Sequence, residues 1–213
     1  MSQKKAATYG PLEEAWNVYT HGIGFVLSVV GLGFICFRES VTSTYTISAI
    51  VFGLSLCILY FASTIYHSTK TPIRRARLQI FDHAAIYILI AGTYTPFTLV
   101  TLEGETGFII FCITWGIAVF GVLLKLFFTG RFDILSTILY VAMGWLIVFV
   151  YTPLVTNLHP TGVQWLFSGG IAYTVGAILY SIKKIPFNHA IFHIFVLIGS
   201  FCHFMSVYFY VGI

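Results

Sequence analysis

Seven long apolar runs are the feature of this sequence that most limits how the chain can fold. An α-helix needs about 20 apolar residues to cross the hydrocarbon core of a bilayer. Strands of a membrane β-barrel are about ten residues long and alternate in polarity, whereas these runs are longer and continuously apolar. The pattern predicts an all-α, polytopic membrane protein with seven transmembrane helices, near residues 17–37, 45–66, 83–101, 107–128, 134–153, 163–182 and 191–212.

The composition supports lipid as the solvent of this chain. Hydrophobic residues make up 58% of it and charged residues only 8%, against about 25% charged residues in a typical soluble domain. The formal net charge of +4 arises from short clusters between apolar runs, which is typical of membrane loops and argues against nucleic-acid binding. We expect one seven-helix domain over residues 1–213, with a short cytosolic segment at 1–16.

Basic residues predict the orientation, because cytoplasmic loops of membrane proteins collect Lys and Arg. Of the 11 Lys and Arg residues, Arg38 alone falls on the predicted outer side. We therefore expect a cytoplasmic N-terminus and an outside C-terminus. The longest loop is expected to be cytoplasmic, from about Tyr66 to Asp82. The predicted cytoplasmic set is Lys4, Lys5, Lys70, Arg74, Arg75, Arg77, Lys125, Arg131, Lys183 and Lys184.

Polar and ionisable residues gather at one depth of the predicted bundle, although such residues are costly inside a membrane and tend to be functional. They lie at the cytoplasmic ends of four helices, so residues far apart in sequence share one membrane level. This shared depth is the main functional signal in the chain. The residues are Glu14, Asn17, Thr20 and His21 in the first helix, Ser63 and His67 in the second, Asp82 and His83 in the third, and His189 and His193 in the seventh.

Three of these histidines have the spacing of metal ligands. His189 and His193 stand at i and i+4, which places both imidazoles on one helix face, and Ser63 and His67 repeat that spacing. Together His67, His189 and His193 predict a three-histidine zinc site with an open fourth position for water. Asp82 is near enough in level to accept a proton from that water or to orient a ligand histidine. No Cys lies at this level, which favours zinc over softer metals and leaves other imidazole-binding metals open.

A structural interpretation of these polar residues stays open. An HxxxH pair alone is weak support for a metal site, since histidines at a membrane interface often bond only to headgroups or backbone. Glu14, Asn17 and His21 share a helix face, and hydrogen bonding to neighbouring helices in a supporting role explains them. His83 follows Asp82 and faces about 100° away on a helix, so we interpret it as a packing residue.

Two further histidines lie away from this level. His203 comes ten residues after His193, about 15 Å deeper at 1.5 Å per residue, and is too far to ligate the same ion. His159 precedes Pro160 in a predicted outside loop, where contact with solvent explains it.

Four stretches resemble the haemolysin III family, the bacterial branch of the progestin and adipoQ receptor superfamily. They are EAWNVYTH (14–21), STIYH (63–67), FDHAAIYILIAGTYTP (81–96) and HAIFHIFVLIGSFCHF (189–204). The resemblance implies a seven-helix fold in the bacterial plasma membrane and a zinc ion near the cytoplasmic face. Carried over to this chain, it implies His67, His189 and His193 as zinc ligands, with Asp82 and Ser63 near the bound water.

Three functions compete at this point. The first is a zinc hydrolase of lipid amides or esters, with Asp82 as general base and Ser63 holding the water or the oxyanion; a similarity to alkaline ceramidases supports it by analogy only. The second is a non-catalytic regulator of membrane homeostasis with a structural zinc. The third, a pore-forming cytolysin, has little support because no ring of charges marks a conduction path. The expected partners are membrane lipids, including a lipid substrate or free fatty acid, and the oligomeric state is left open.

Overall fold

The computed structural model describes residues 9–39, 42–129 and 132–212, and within these ranges every long apolar segment is helical. Seven helices in the described residues are long and apolar enough to cross a membrane. A π-helical turn at Phe97–Thr101 continues the third span, and a 3₁₀ segment at Trp145–Val150 lies within the fifth span. The helices are α1 (Pro11–Cys36), α2 (Ser43–Ser68), α3 (Pro72–Pro96), α4 (Glu105–Phe128), α5 (Asp133–Gly144), α6 (Tyr151–Asn157), α7 (Pro160–Ser181) and α8 (Asn188–Tyr210).

The predicted seven-helix class is confirmed, and the fifth span consists of α5, the 3₁₀ segment and α6. The predicted loop from about Tyr66 to Asp82 is wrong, because only Thr69–Thr71 separate α2 from α3. Proline is favourable at the first position of a helix, where its missing N–H has no intrahelical partner to lose. Pro72 therefore begins α3 instead of interrupting a loop. The prediction failed because an apolar run marks only the part of a helix that faces lipid, and α3 extends well beyond its apolar run.

Six spans form a ring around a cavity. Going around it, α1 packs against α2, α2 against α3, α3 against α5, α5 against α7, α7 against α8, and α8 against α1. α4 packs against α3, and its Lys125 also lines the cavity. The third span is accordingly the most enclosed, with 72% of its apolar window buried, against 22% for α4 and 17% for the fifth span.

One end of the ring holds the polar layer predicted from the sequence, and we call it the histidine end. Lys70, Arg74, Lys125 and Lys183 belong to helix ends or connections on that side, and Arg38 follows α1 at the other. Lys4, Lys5 and Arg131, which entered the prediction of orientation, lie outside the described residues. That the histidine end is cytoplasmic stays a prediction.

Gly24 lets α1 approach α2 and α8 closely. A Cβ atom at this position would lie 2.6 Å from the Tyr60 ring of α2 and 2.8 Å from Leu197 of α8. Tyr60 is 2% exposed and its hydroxyl bonds to Ser200 of α8, so its ring has little freedom to move aside. By contrast, a Cβ at Gly33 in the same helix would meet nothing within 4 Å.

We expect Gly24→Ala to destabilise the protein by about 1–3 kcal/mol, the usual cost of forcing an extra methyl into a packed interior. The measurement is the thermal unfolding midpoint of the purified protein in detergent. Gly33→Ala is the matched control, and its midpoint should equal or exceed that of the wild type. Equal midpoints for the two variants would contradict the close packing.

Candidate metal centre

Three buried histidines from two helices bring their ring nitrogens together at the histidine end. His67 ends α2, and His189 and His193 begin α8. Nε2 of His189 lies 3.0 Å from Nε2 of His67 and 3.1 Å from Nε2 of His193. All three side chains are buried, and their donor atoms form a group that could hold a metal ion. The sequence analysis therefore predicted the three residues that the fold brings together.

The outer nitrogens of two of these rings have partners that fix the tautomer. Nδ1 of His67 lies 2.8 Å from Oε2 of Glu14, and Nδ1 of His193 lies 3.3 Å from the carbonyl oxygen of Asn17. Carboxylate and carbonyl oxygens only accept, so each Nδ1 carries its hydrogen and donates it. In the neutral imidazole Nε2 then has a free lone pair, and these lone pairs point towards the centre of the cluster.

The arrangement fits a zinc ion. Two nitrogens bound to one zinc at about 2.0–2.1 Å lie about 3.3 Å apart in tetrahedral geometry, close to the 3.0 and 3.1 Å separations of the Nε2 atoms. Imidazole is a common zinc ligand, and a carboxylate on the outer nitrogen of a ligand histidine is the usual support for such a ring. The residues present therefore match the donor set and the spacing that zinc requires.

Glu14 of α1 connects the histidine cluster to the basic end of α3. Its Oε2 accepts from His67, while its Oε1 pairs with the guanidinium of Arg75. Nη1 of Arg75 also lies 3.3–3.4 Å from the carbonyl oxygens of Tyr66, His67 and Thr69. These carbonyls lie at the C-terminal end of α2, where the last carbonyls lack an i+4 partner, and that of Tyr66 also accepts from the backbone N–H of Thr69. Arg75 therefore caps the helix that carries His67. The sequence interpretation placed Arg75 in a cytoplasmic loop and missed this role.

The α1 face predicted to support the site does contact it. Thr20 donates its hydroxyl to the carbonyl of Trp16, which leaves its oxygen to accept from Nδ1 of His193 at 3.3 Å. The His21 ring stacks on the His193 ring, with centroids 3.5 Å apart and planes at 7°. Both ring nitrogens of His21 are buried without a hydrogen-bond partner among the described residues.

Tyr9 covers the cluster from the N-terminal side and was not predicted from the sequence. Its ring stacks on His189, with centroids 4.6 Å apart and planes at 16°, and its backbone N–H donates to Oε1 of Glu14 at 3.4 Å. Burial, above all, raises the pKa of Tyr9, and the nearby Tyr180, Tyr66, Asp82 and Glu13 add to the shift. The phenol therefore stays protonated at physiological pH.

Ser63 and Asp82 face the same space as the histidines. Both line a cavity that His189 and His193 also line, and both are buried. Oγ of Ser63 has no hydrogen-bond partner in the part of the chain that is described. The carboxylate that contacts a ligand histidine is Glu14, whereas Asp82, from the third turn of α3, is directed to the cavity.

The remaining histidines do not belong to the three-histidine cluster. His83 lines the cavity beside Asp82, and its carbonyl accepts from Tyr140. Nε2 of His203 lies 3.1 Å from the carbonyl oxygen of Leu166 of α7, ten residues away from His193 along α8. His159 is exposed and accepts from the backbone N–H of Thr161 at the start of α7. His203 and His159 thus lie away from the three-histidine cluster, as expected.

The cavity extends from the histidine end into the middle of the ring. Its volume is about 170 Å³, and most of its lining is aliphatic or aromatic, with side chains from α3, α5, α7 and α8. Residues near the far end of α3, Thr93, Tyr94 and Phe97, line it together with Leu166 and His203. The site thus joins a polar, histidine-rich end to a deep apolar chamber.

The fold and the site together define a seven-helix integral membrane protein with a buried three-histidine cluster. The sequence profile of the family described as "Haemolysin-III related" matches residues 9–204. The chain belongs to this family, which confirms the resemblance drawn from the motifs and places the protein in the plasma membrane as a multi-pass protein.

Three similar proteins span nearly the whole chain. "Hemolysin-3 homolog" of Bacillus subtilis (strain 168) is 48% identical over 200 residues, covering 93% of this chain and 94% of that protein. "Hemolysin-3" of Bacillus cereus is 46% identical over 201 residues, covering 93% and 92%. "Monocyte to macrophage differentiation factor" of Homo sapiens is 29% identical over 205 residues, covering 93% and 84%.

We expect Glu14→Gln to weaken zinc affinity by about 10- to 100-fold, the usual effect of removing the outer partner of a ligand histidine. Affinity is measured by competition with a chromophoric chelator on purified protein. Glu103→Gln is the control, since Glu103 is exposed at the opposite end of the bundle. Equal affinities in the two variants would show that Glu14 does not support the site.

Proposed function

We propose that the protein is a membrane-embedded zinc hydrolase that cleaves an amide or ester bond of a lipid. The observation that carries the proposal is the convergence of three buried Nε2 atoms beside a deep apolar cavity. A carbonyl group at the cluster would leave its acyl chain in the apolar part of the cavity. This combination fits a lipid better than a water-soluble substrate.

His67, His189 and His193 would hold a zinc ion, which would supply a water with a lowered pKa and a Lewis acid for the substrate carbonyl. Asp82 is the residue we assign as general base. It lines the cavity beside His189 and His193 without bonding to either ring. Its carboxylate would take the proton from the attacking water and return it to the leaving amine or alcohol.

Ser63 is the residue we assign to hold that water or the oxyanion that forms when it attacks. Its position one turn before His67 directs it to the same helix face. A buried hydroxyl without a partner is costly, and Oγ of Ser63 is such an atom. A hydrogen bond to the oxygen of the attacking water or of the oxyanion would satisfy this hydroxyl group.

The test is release of fatty acid from a panel of lipid amides and esters by purified protein in lipid nanodiscs. We expect Asp82→Asn to lower kcat by about 10²- to 10⁴-fold, the usual contribution of a general base, while keeping its zinc. His193→Ala should lose both zinc and activity. His159→Ala, which removes an exposed histidine from the opposite end, should keep both.

Absence of fatty-acid release from every lipid by zinc-loaded, folded protein would contradict the hydrolase proposal. Full activity in Asp82→Asn would leave the reaction class intact and remove Asp82 as its base.

A non-catalytic regulator with structural zinc is the second candidate, and one observation favours it. The three ligands come from α2 and α8, which lie on either side of α1 in the ring. A bound ion would therefore cross-link helices that are far apart in sequence, and a protein could use it for stability alone.

Removal of the metal separates these two functions. If zinc is catalytic, we expect chelation to abolish hydrolysis while the helices stay assembled, because α1 packs on α2 and α8 without it. Circular dichroism and the thermal midpoint with and without chelator measure this. Collapse of the fold on chelation, in a protein that releases no fatty acid, would favour the regulator.

The names of the two bacterial relatives point to a third candidate, lysis of membranes. Aliphatic and aromatic side chains make up most of the cavity lining, which favours an acyl chain over a path for ions. Release of dye from vesicles by the purified protein would nevertheless support it.

A further inference from the structure

His203 brings an unpartnered polar atom to the deep part of the apolar cavity. The side chain lines the cavity and is 8% exposed. Its Nδ1 atom is buried without a hydrogen-bond partner among the described residues. Leaving such an atom unbonded is costly in apolar surroundings, so its position calls for a ligand.

The hydrogen bond of the other ring nitrogen fixes what Nδ1 can do. Nε2 lies 3.1 Å from the carbonyl oxygen of Leu166, and a carbonyl oxygen only accepts. Nε2 therefore carries the hydrogen, and Nδ1 of the neutral ring is an acceptor. What His203 lacks is a hydrogen-bond donor.

The orientation of the ring turns Nδ1 away from α7. A Cβ atom added at Gly169 would meet Cδ2 and Nε2 of His203 first, so that edge of the ring faces α7. Nδ1 lies on the opposite edge.

The nearby hydroxyl groups are already engaged with one another. Tyr60 donates to Oγ of Ser200 at 2.7 Å, and the hydroxyl of Tyr173 bonds to the same oxygen at 2.8 Å. Tyr173 is in ring contact with His203, with centroids 5.3 Å apart, yet its hydroxyl is bonded elsewhere. No described residue donates to Nδ1 of His203, and a molecule in the cavity that carries a donor would satisfy it.

The distance from the histidine cluster sets where on a lipid that donor would be. His203 follows His193 by ten residues on one helix, which is about 15 Å. Each carbon–carbon bond of about 1.5 Å advances an extended acyl chain by about 1.2–1.3 Å. A carbonyl at the cluster therefore places roughly the twelfth carbon of the chain level with His203.

We propose that His203 is a specificity-determining residue that binds a hydroxyl group near the twelfth carbon of an acyl chain. The hydroxyl donates to Nδ1 of His203, and the protein thereby prefers mid-chain hydroxylated acyl groups over plain ones. This rests on the proposed function in one respect, namely that the carbonyl end of the lipid lies at the histidine cluster.

The test is a binding assay, which does not depend on turnover. Octadecanoate, 12-hydroxyoctadecanoate and 3-hydroxyoctadecanoate compete with labelled octadecanoate for the zinc-loaded protein in nanodiscs. We expect the 12-hydroxy acid to bind about tenfold more tightly than octadecanoate, as one buried hydrogen bond allows. The 3-hydroxy acid, whose hydroxyl stays near the cluster, should show no gain.

Two variants of His203 and one control assign the effect to the ring. His203→Phe and His203→Leu each remove both ring nitrogens, the first keeping an aromatic ring at this position and the second an aliphatic side chain. Both should bind the 12-hydroxy acid and octadecanoate equally. Thr93→Val is the control: Thr93 lines the cavity, lies about 16 Å along α3 from Asp82, and donates its hydroxyl to its own helix at Leu89. It should keep the tenfold preference.

Equal binding of the three acids by the wild type overturns the inference, and that comparison needs no variant to fold. A preference for the 12-hydroxy acid that survives in a folded His203 variant overturns it as well. Hydrolysis without this preference would leave the hydrolase proposal standing. The preference without hydrolysis would leave His203 as the determinant of binding in a protein that does not turn its ligand over.

Discussion

Three buried imidazole nitrogens that converge on one point are the constraint on which the rest of this site depends. Neutral Nε2 atoms 3.0 and 3.1 Å apart repel unless a proton or a cation lies between them. The outer nitrogens of His67 and His193 are committed as donors to α1. A cation at the centre satisfies the inner nitrogens together, whereas a proton satisfies one pair at a time. The geometry therefore favours a divalent ion that prefers imidazole.

Much of the surrounding structure serves to hold these rings. Glu14 fixes His67, and Arg75 fixes Glu14 while capping α2. His21 and Tyr9 clamp the other two rings by stacking. The close approach of α1 at Gly24 brings this supporting face to its place. The first three spans thus hold the three histidines in place, although α1 and α3 supply none of them.

The sequence predicted the seven spans from a local signal, and the three histidines from a local pair in α8 together with the shared membrane depth of His67. Continuous apolar runs define spans, and an i, i+4 pair shares a helix face whatever the tertiary structure. Arg75 and Tyr9 were not predictable in this way. The charge of Arg75 indicated a loop, since nothing local shows that a guanidinium would turn back onto the carbonyls that end α2. Tyr9 lies before the first span, where no periodic pattern indicates burial. The depth of His203 followed from counting turns, but its unpartnered nitrogen depends on where α7 packs.

The central claim is that His67, His189 and His193 hold zinc with one position open to oxygen, and X-ray absorption at the zinc edge of the purified protein tests it most directly. The account predicts about three imidazole nitrogens and one further oxygen at about 2.0–2.1 Å. The multiple-scattering signal of the imidazole rings should be lost together with the zinc in His189→Ala. Folded wild-type protein that holds no zinc, or a spectrum dominated by sulfur at about 2.3 Å, would contradict the account.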